Sequence, residues 1–119
     1  MINFNTATVE GYVAHDPRIK ETKNGKSLCE FAVAMNHYSE PDAPPRVSYI
    51  EVETWDKLAD TCAKNITKGK RVMVHGKLRQ DRWESKEGRV QSKLLVVGQE
   101  VRFLDPIKPR ISSEAQSAT

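Results

Sequence analysis

Residues 47–83 read VSYIEVETWDKLADTCAKNITKGKRVMVHGKLRQDRW. Val47–Trp55 alternates, with Ile50 and Val52 on one side and Tyr49, Glu51, Glu53 and Trp55 on the other. Arg71–Trp83 alternates too. Val72, Val74 and Leu78 share one face, and Lys77, Arg79 and Trp83 share the opposite one if no bulge breaks the register. Between these strands Asp56 suits a helix N-cap and Lys57 starts the run. Leu58, Ala59, Cys62, Ala63 and Ile66 fall on one side at helical spacing, and Gly69 is the expected stop. A helix of about three turns with so narrow an apolar stripe cannot form a core alone, but it can plug the end of a small barrel.

Strand, plugging helix, strand is what a five-stranded OB-type barrel has between its third and fourth strands. The expected fold class is therefore all-β, a five-stranded OB-fold barrel with one short helix between strands three and four. The 119 residues suffice for one domain, and a hydrophobic content of 38% calls for an economical core. No run approaches a transmembrane length, and MINFNTATV lacks the basic and apolar regions of a secretory signal. The two cysteines, Cys29 and Cys62, fall on apolar faces and read as reduced core thiols. The cytoplasm is the expected compartment.

Outward from the central stretch, residues 2–14 read as strand one, with Ala7, Val9, Gly11 and Val13 alternating against Thr6, Thr8, Glu10 and Tyr12. Gly11 in mid-strand suggests a bulge or a close backbone approach where the strand bends round the barrel. Asp16-Pro17 ends it, and a polar connection with the tight-turn pair Asn24-Gly25 follows. Residues 28–38 read as strand two, with Phe31, Val33 and Met35 inward and Ala32, Ala34, Asn36 and Tyr38 outward. The loop SEPDAPPR, residues 39–46, holds three prolines and cannot continue the strand. Residues 84–88 read as a charged hairpin loop, and residues 89–104 as a last strand broken or bulged at Gly98. Residues 105–119 have neither aromatics nor periodicity and are expected to be a disordered tail, leaving 1–104 as the folded domain.

The net charge of +3 says less than its distribution. In residues 40–63 two cations face six carboxylates, whereas in residues 64–93 ten cations face three. Rings and cations on the outer face of a sheet suit a flat, anionic ligand. Single-stranded nucleic acid fits, because bases stack on rings and phosphates sit on cations. Other chemistry finds little support. The histidines at 15, 37 and 75 have no metal spacing among themselves or with the cysteines. Lys68-Gly69-Lys70 is a turn without the phosphate-loop pattern. Glu51 and Glu53 share a face as a nuclease metal pair would, but no third carboxylate has a defined place. No catalytic residue, metal site or cofactor is expected.

Phe31-Ala-Val-Ala-Met-Asn, Ser48-Tyr-Ile-Glu-Val, Trp55-Asp-Lys-Leu-Ala, Lys68-Gly, Val74-His-Gly-Lys-Leu-Arg and Trp83 together resemble the bacterial-type single-stranded DNA-binding proteins. The resemblance spans about residues 2–104 and rests on the order and spacing of these motifs. It implies an OB fold, a homotetramer, and sequence-tolerant binding of single-stranded DNA in replication, repair and recombination, with no enzymatic activity and no membrane. It assigns stacking to Tyr49, Trp55 and Trp83, and to position 38 or 39, of which only Tyr38 has a ring. It assigns phosphate contacts to Lys20, Lys57, Lys68 and Arg79. Lys77 and Arg82, beside these residues on the basic strand, complete the candidate DNA-binding set.

Three features depart from the family pattern. Glu51 stands where a cation is common, Tyr49 and, at the end of strand two, Tyr38 stand in place of tryptophan, and the chain ends SSEAQSAT without the Gly/Pro/Gln-rich linker and acidic tip that recruit replication and repair proteins. A tailless OB-fold adaptor of the replication machinery, similar to a primosomal replication protein, is the alternative expectation.

Overall fold

The computed structural model describes residues 3–37 and 41–104. Six strands and one helix follow in order: β1 (Ala7–Val13), β2 (Arg18–Glu21), β3 (Ser27–His37), β4 (Arg46–Trp55), α1 (Asp56–Asn65), β5 (Arg71–Glu84) and β6 (Val90–Leu104). The sheet order is β1-β5-β6-β4-β3-β2, and a further pairing of β1 with β3 closes five of the strands into a ring. This is the expected OB-fold barrel with one unexpected addition. Arg18–Glu21, read as polar connection, pairs with Ser27–Glu30 as β2. All four of its residues are exposed, so no apolar alternation announced it. Its turn was legible: Gly25 sits at φ 77 and donates its N–H to Thr22 O at 2.9 Å.

Ring closure depends on β3 and Gly11. Eleven residues long, β3 offers one edge to β4 and splits the other, with β2 beside Ser27–Glu30 and β1 beside Val33 and Ala34. A Cβ on Gly11 would lie 2.2 Å from Ala34 O, so only glycine lets β1 cross from β5 to β3 here. Strand one is shorter than expected: residues 3–6 are outside any strand, and Asn5 instead clasps β5, accepting from Leu78 N–H and donating to Leu78 O, each at 2.9 Å. The expected break in the last strand is a bulge. His75 pairs with Glu100 and Gly76 with Gly98, leaving Gln99 as the extra residue while β6 runs on unbroken.

Phe31, Val33, Val52, Val72, Val74 and Val96 fill the barrel, and Ala59, Cys62 and Ile66 plug its end from the α1 side. Cys29 and Cys62 are free and buried, and burial pushes the Cys62 thiol up to about 11. Both ends of α1 differ from expectation. The residue before the helix is Trp55, with no side-chain cap, and Asp56 adopts φ 58 at the sharp corner between β4 and α1. The helix stops at Asn65, before Gly69, because Ile66 turns extended to bury its side chain. Gly69 (φ 89) serves the following turn and donates its N–H to Val13 O at 2.8 Å. Among the described residues no helix is long and apolar enough to cross a membrane.

Candidate nucleic-acid interface

Residues paired across a sheet share a face, so the register maps the barrel's outer surface. One row runs Lys20, Leu28, Trp55 across β2, β3 and β4. The next runs Arg18, Glu30, Glu53, Val97, Lys77, and the third Ala32, Glu51, Leu95, Arg79. Tyr49, beside Ala34, lies two residues further along β4, and the Asp81–Lys93 and Trp83–Gln91 pairs continue β5 and β6 in the same sense. Lys20, Trp55, Lys77, Arg79, Tyr49 and Trp83 therefore share one face. Tyr49 is 66% exposed and Trp83 49%. Trp55 is half-buried at the strand–helix corner. Six residues of strand separate Tyr49 from Trp55, about 20 Å.

The other expected residues scatter. Lys57 sits exposed in the first turn of α1, next to Trp55. Lys68 lies in the turn after the helix, its N–H donating to Asp16 Oδ1 at 2.9 Å. Arg82, paired with Ser92, has the opposite parity to Trp83 and projects from the reverse side of the hairpin. Tyr38 lies outside the described residues. The positive block of residues 64–93 thus covers no single face. Arg71 pairs with Glu10 of β1, while Lys86 lies in the hairpin turn and Arg89 at its end. Sequence reading missed Lys93, which only the β5–β6 register brings beside Asp81 on the ring-bearing face.

Charge on this face is balanced rather than basic. Arg18 approaches Glu30 at 3.8 Å and Glu51 at 3.6 Å, and Lys20 approaches Glu30 at 3.4 Å. These pairs are partly exposed on the cation side, so each is weak. Glu53 differs. Expected on the wet face, it is only 8% exposed and makes the densest polar network of the molecule's described part. Its Oε1 accepts from Trp55 Nε1–H at 2.9 Å and from Arg79 Nη1–H at 2.8 Å, and its Oε2 accepts from Arg79 Nη2–H at 3.0 Å. On its other side Arg79 donates from Nε to Asp81 Oδ1 at 2.8 Å and from Nη2 to Asp81 Oδ2 at 3.0 Å. Hydrogen bonds from Arg79 hold the Asp81 carboxyl below its usual range, and bonds to Asp81 and Glu53 push the guanidinium up, so it stays charged. Arg79, expected as a phosphate contact, is committed to two carboxylates in the free protein.

Comparisons with known proteins agree with this architecture. A single-stranded DNA-binding protein from Treponema pallidum is 32% identical over 109 residues, covering 90% of this chain and 61% of its own length. One from Caldanaerobacter subterraneus is 31% identical over 104 residues, covering 87% of this chain and 69% of its own. The chain thus spans about three fifths of the Treponema relative. A solved structure described as a Plasmodium falciparum SSB complex with ssDNA matches with a TM-score of 0.81 at 21% identity, covering 88% of this chain and 98% of that one, and so has the same fold. The family model for the single-strand binding protein family matches residues 4–104, nearly the whole described barrel, and this chain belongs to that family.

Proposed function

We propose that this chain binds single-stranded DNA with little sequence preference, and by binding alone protects it during replication, repair and recombination. The observation that carries the reading is the exposure of Tyr49 and Trp83 on one sheet face that also bears Trp55 and Lys77. Exposed rings on a β-surface cost solvation unless something flat covers them, and every base has a face to offer. Tyr49, Trp55 and Trp83 stack bases, with Tyr38 as a fourth ring. Lys20, Lys57, Lys68 and Lys77 meet phosphates as the strand crosses the barrel and its helix-plugged end, and Arg82 meets one on the reverse side of the hairpin. The binding domain ends near Leu104, and the reduced, buried cysteines suit a cytoplasmic protein.

The same reading includes a homotetramer. Among the described residues, Ala7–Gly11 of β1 pair only with β5, which leaves one strand edge for a second copy. A monomer in sedimentation at micromolar concentration would remove that part. For DNA binding, oligo-dT should quench tryptophan emission far more than duplex DNA does. A stacked base is worth about 1–3 kcal/mol, so Trp83→Ala should weaken binding roughly 5- to 150-fold. Undiminished affinity in Trp83→Ala would take this ring off the platform, and no oligo-dT binding at all would favour the adaptor role.

A further inference from the structure

Glu53 holds two functional groups at once. One of its oxygens accepts from the Trp55 indole, and both accept from Arg79. Arginine has five N–H donors, and four of those on Arg79 are used by Glu53 and Asp81. The local sum of one guanidinium and two carboxylates is one negative charge. To turn its paired N–H groups to a phosphate, Arg79 would have to leave a bidentate partner whose side chain is only 11% exposed. That would strand a largely buried anion and take away one of the hydrogen-bond donors around the Trp55 anchor.

We propose that Glu53 is a positioning residue that withholds Arg79 from the DNA backbone while fixing the ring of Trp55. Resting on the DNA-binding reading above, this makes stacking, rather than the cation of β5 nearest the centre of the face, the contribution of this part of the platform. Salt dependence reports the number of phosphates neutralised, at a slope of about −0.7 each for single strands. Arg79 adds nothing to that slope while Glu53 and Asp81 hold it. Glu53→Gln keeps an amide oxygen for the Trp55 indole and removes the charge that retains Arg79. Asp81→Asn, at a partly exposed position, loosens the same guanidinium from its other side.

The test is oligo-dT titration at four salt concentrations. Glu53→Gln should steepen the log–log slope by about 0.7 per engaged protomer, equivalent to about a fivefold greater loss of affinity per tenfold rise in salt. Asp81→Asn should change it in the same direction, and both changes should vanish when Arg79→Met is added. If Glu53→Gln fails to fold, Asp81→Asn with and without Arg79→Met decides alone. A wild-type slope in every variant that folds, or a steepening that persists without Arg79, would overturn the proposal. The ring is read separately with Trp83→Phe, which leaves Trp55 as the one tryptophan. In that background Glu53→Gln should preserve quenching by oligo-dT, and Glu53→Val should diminish it. Equal quenching in the two would overturn the positioning of Trp55. A wild-type protein that binds no oligo-dT would overturn the DNA-binding reading itself, and this inference with it.

Discussion

At the scale of single residues, Asp56 shows how the platform is joined to the plug. Its φ of 58 lies where L side chains are crowded, yet Asp, Asn and Gly are the residues that tolerate it. The corner matters because Trp55 precedes it and Ala59 and Cys62 follow into the core. Asp56→Asn and Asp56→Gly should therefore change unfolding free energy by less than about 0.5 kcal/mol. For glycine, relief of the strained φ is offset by its greater freedom when unfolded and by the lost acidic charge in the first helical turn. Asp56→Val should cost about 1–2 kcal/mol, because a β-branched residue resists this conformation. Urea titration of the three variants would check the order, and a valine variant as stable as the wild type would contradict it. The sequence marked Asp56 as special but for another reason, since Asp before a helical run fits a side-chain cap as well as it fits a left-handed corner.

At the scale of elements, the β5–β6 hairpin divides into two parts. Near the barrel, Val72, Val74 and Val96 are buried, but beyond Leu78 every residue of the hairpin is half-buried or exposed until Leu95. A two-stranded ribbon without a packed face is marginal on its own. Its amides at 82–84 and 90–92 should exchange with solvent much faster than those at 72–74, and oligo-dT should slow them by covering Trp83. Hydrogen exchange with and without oligo-dT checks both, and unchanged rates in the arm on adding DNA would argue against contact there. The alternation of β4 and β5, the plugging stripe of α1 and the Asn24-Gly25 turn were all legible, because each repeats a local period or a turn preference. What escaped depends on partners outside the segment itself. The four exposed residues of β2 become a strand only because β3 lies beside them. Glu53 looks like any wet-face carboxylate until Arg79, 26 residues on, folds across it.

At the scale of the whole molecule, the barrel closes where β1 passes from β5 to β3. A methyl group on Gly11 would meet Ala34 O at 2.2 Å and Val33 Cγ1 at 2.9 Å, and the first of these is backbone that cannot rotate away. Gly11→Ala should cost about 1–3 kcal/mol or more by overpacking, seen as a lower denaturation midpoint with the denaturant slope unchanged. Gly25→Ala offers a contrast, since open space surrounds that turn and only its φ of 77 is at stake. It should cost about 1–2 kcal/mol from the left-handed backbone alone, without disturbing the ring. Equal resistance of Gly11→Ala and wild type to urea would mean that β1 and β3 can part without loss.

The last strand, β6, bonds both to β5 and, in parallel, to β4 through Glu51–Glu53. A chain growing from its N-terminus has made β1 to β5 before any of Leu95, Val96 and Val97 exists, and none of those strands can enter a closed ring until they do. The nascent polypeptide therefore waits, with Val52 of β4 and Leu78 of β5 lacking their register partner Val96, until that part of β6 has been made. Loop closure over such separations is slow, and open strand edges in the interval invite mispairing. Translation and folding of this barrel are thus separated in time. Chaperone dependence should be concentrated in the interval before residue 97 leaves the ribosome, and a synonymous slowing of translation upstream of that point would lengthen the exposed interval without bringing folding any nearer.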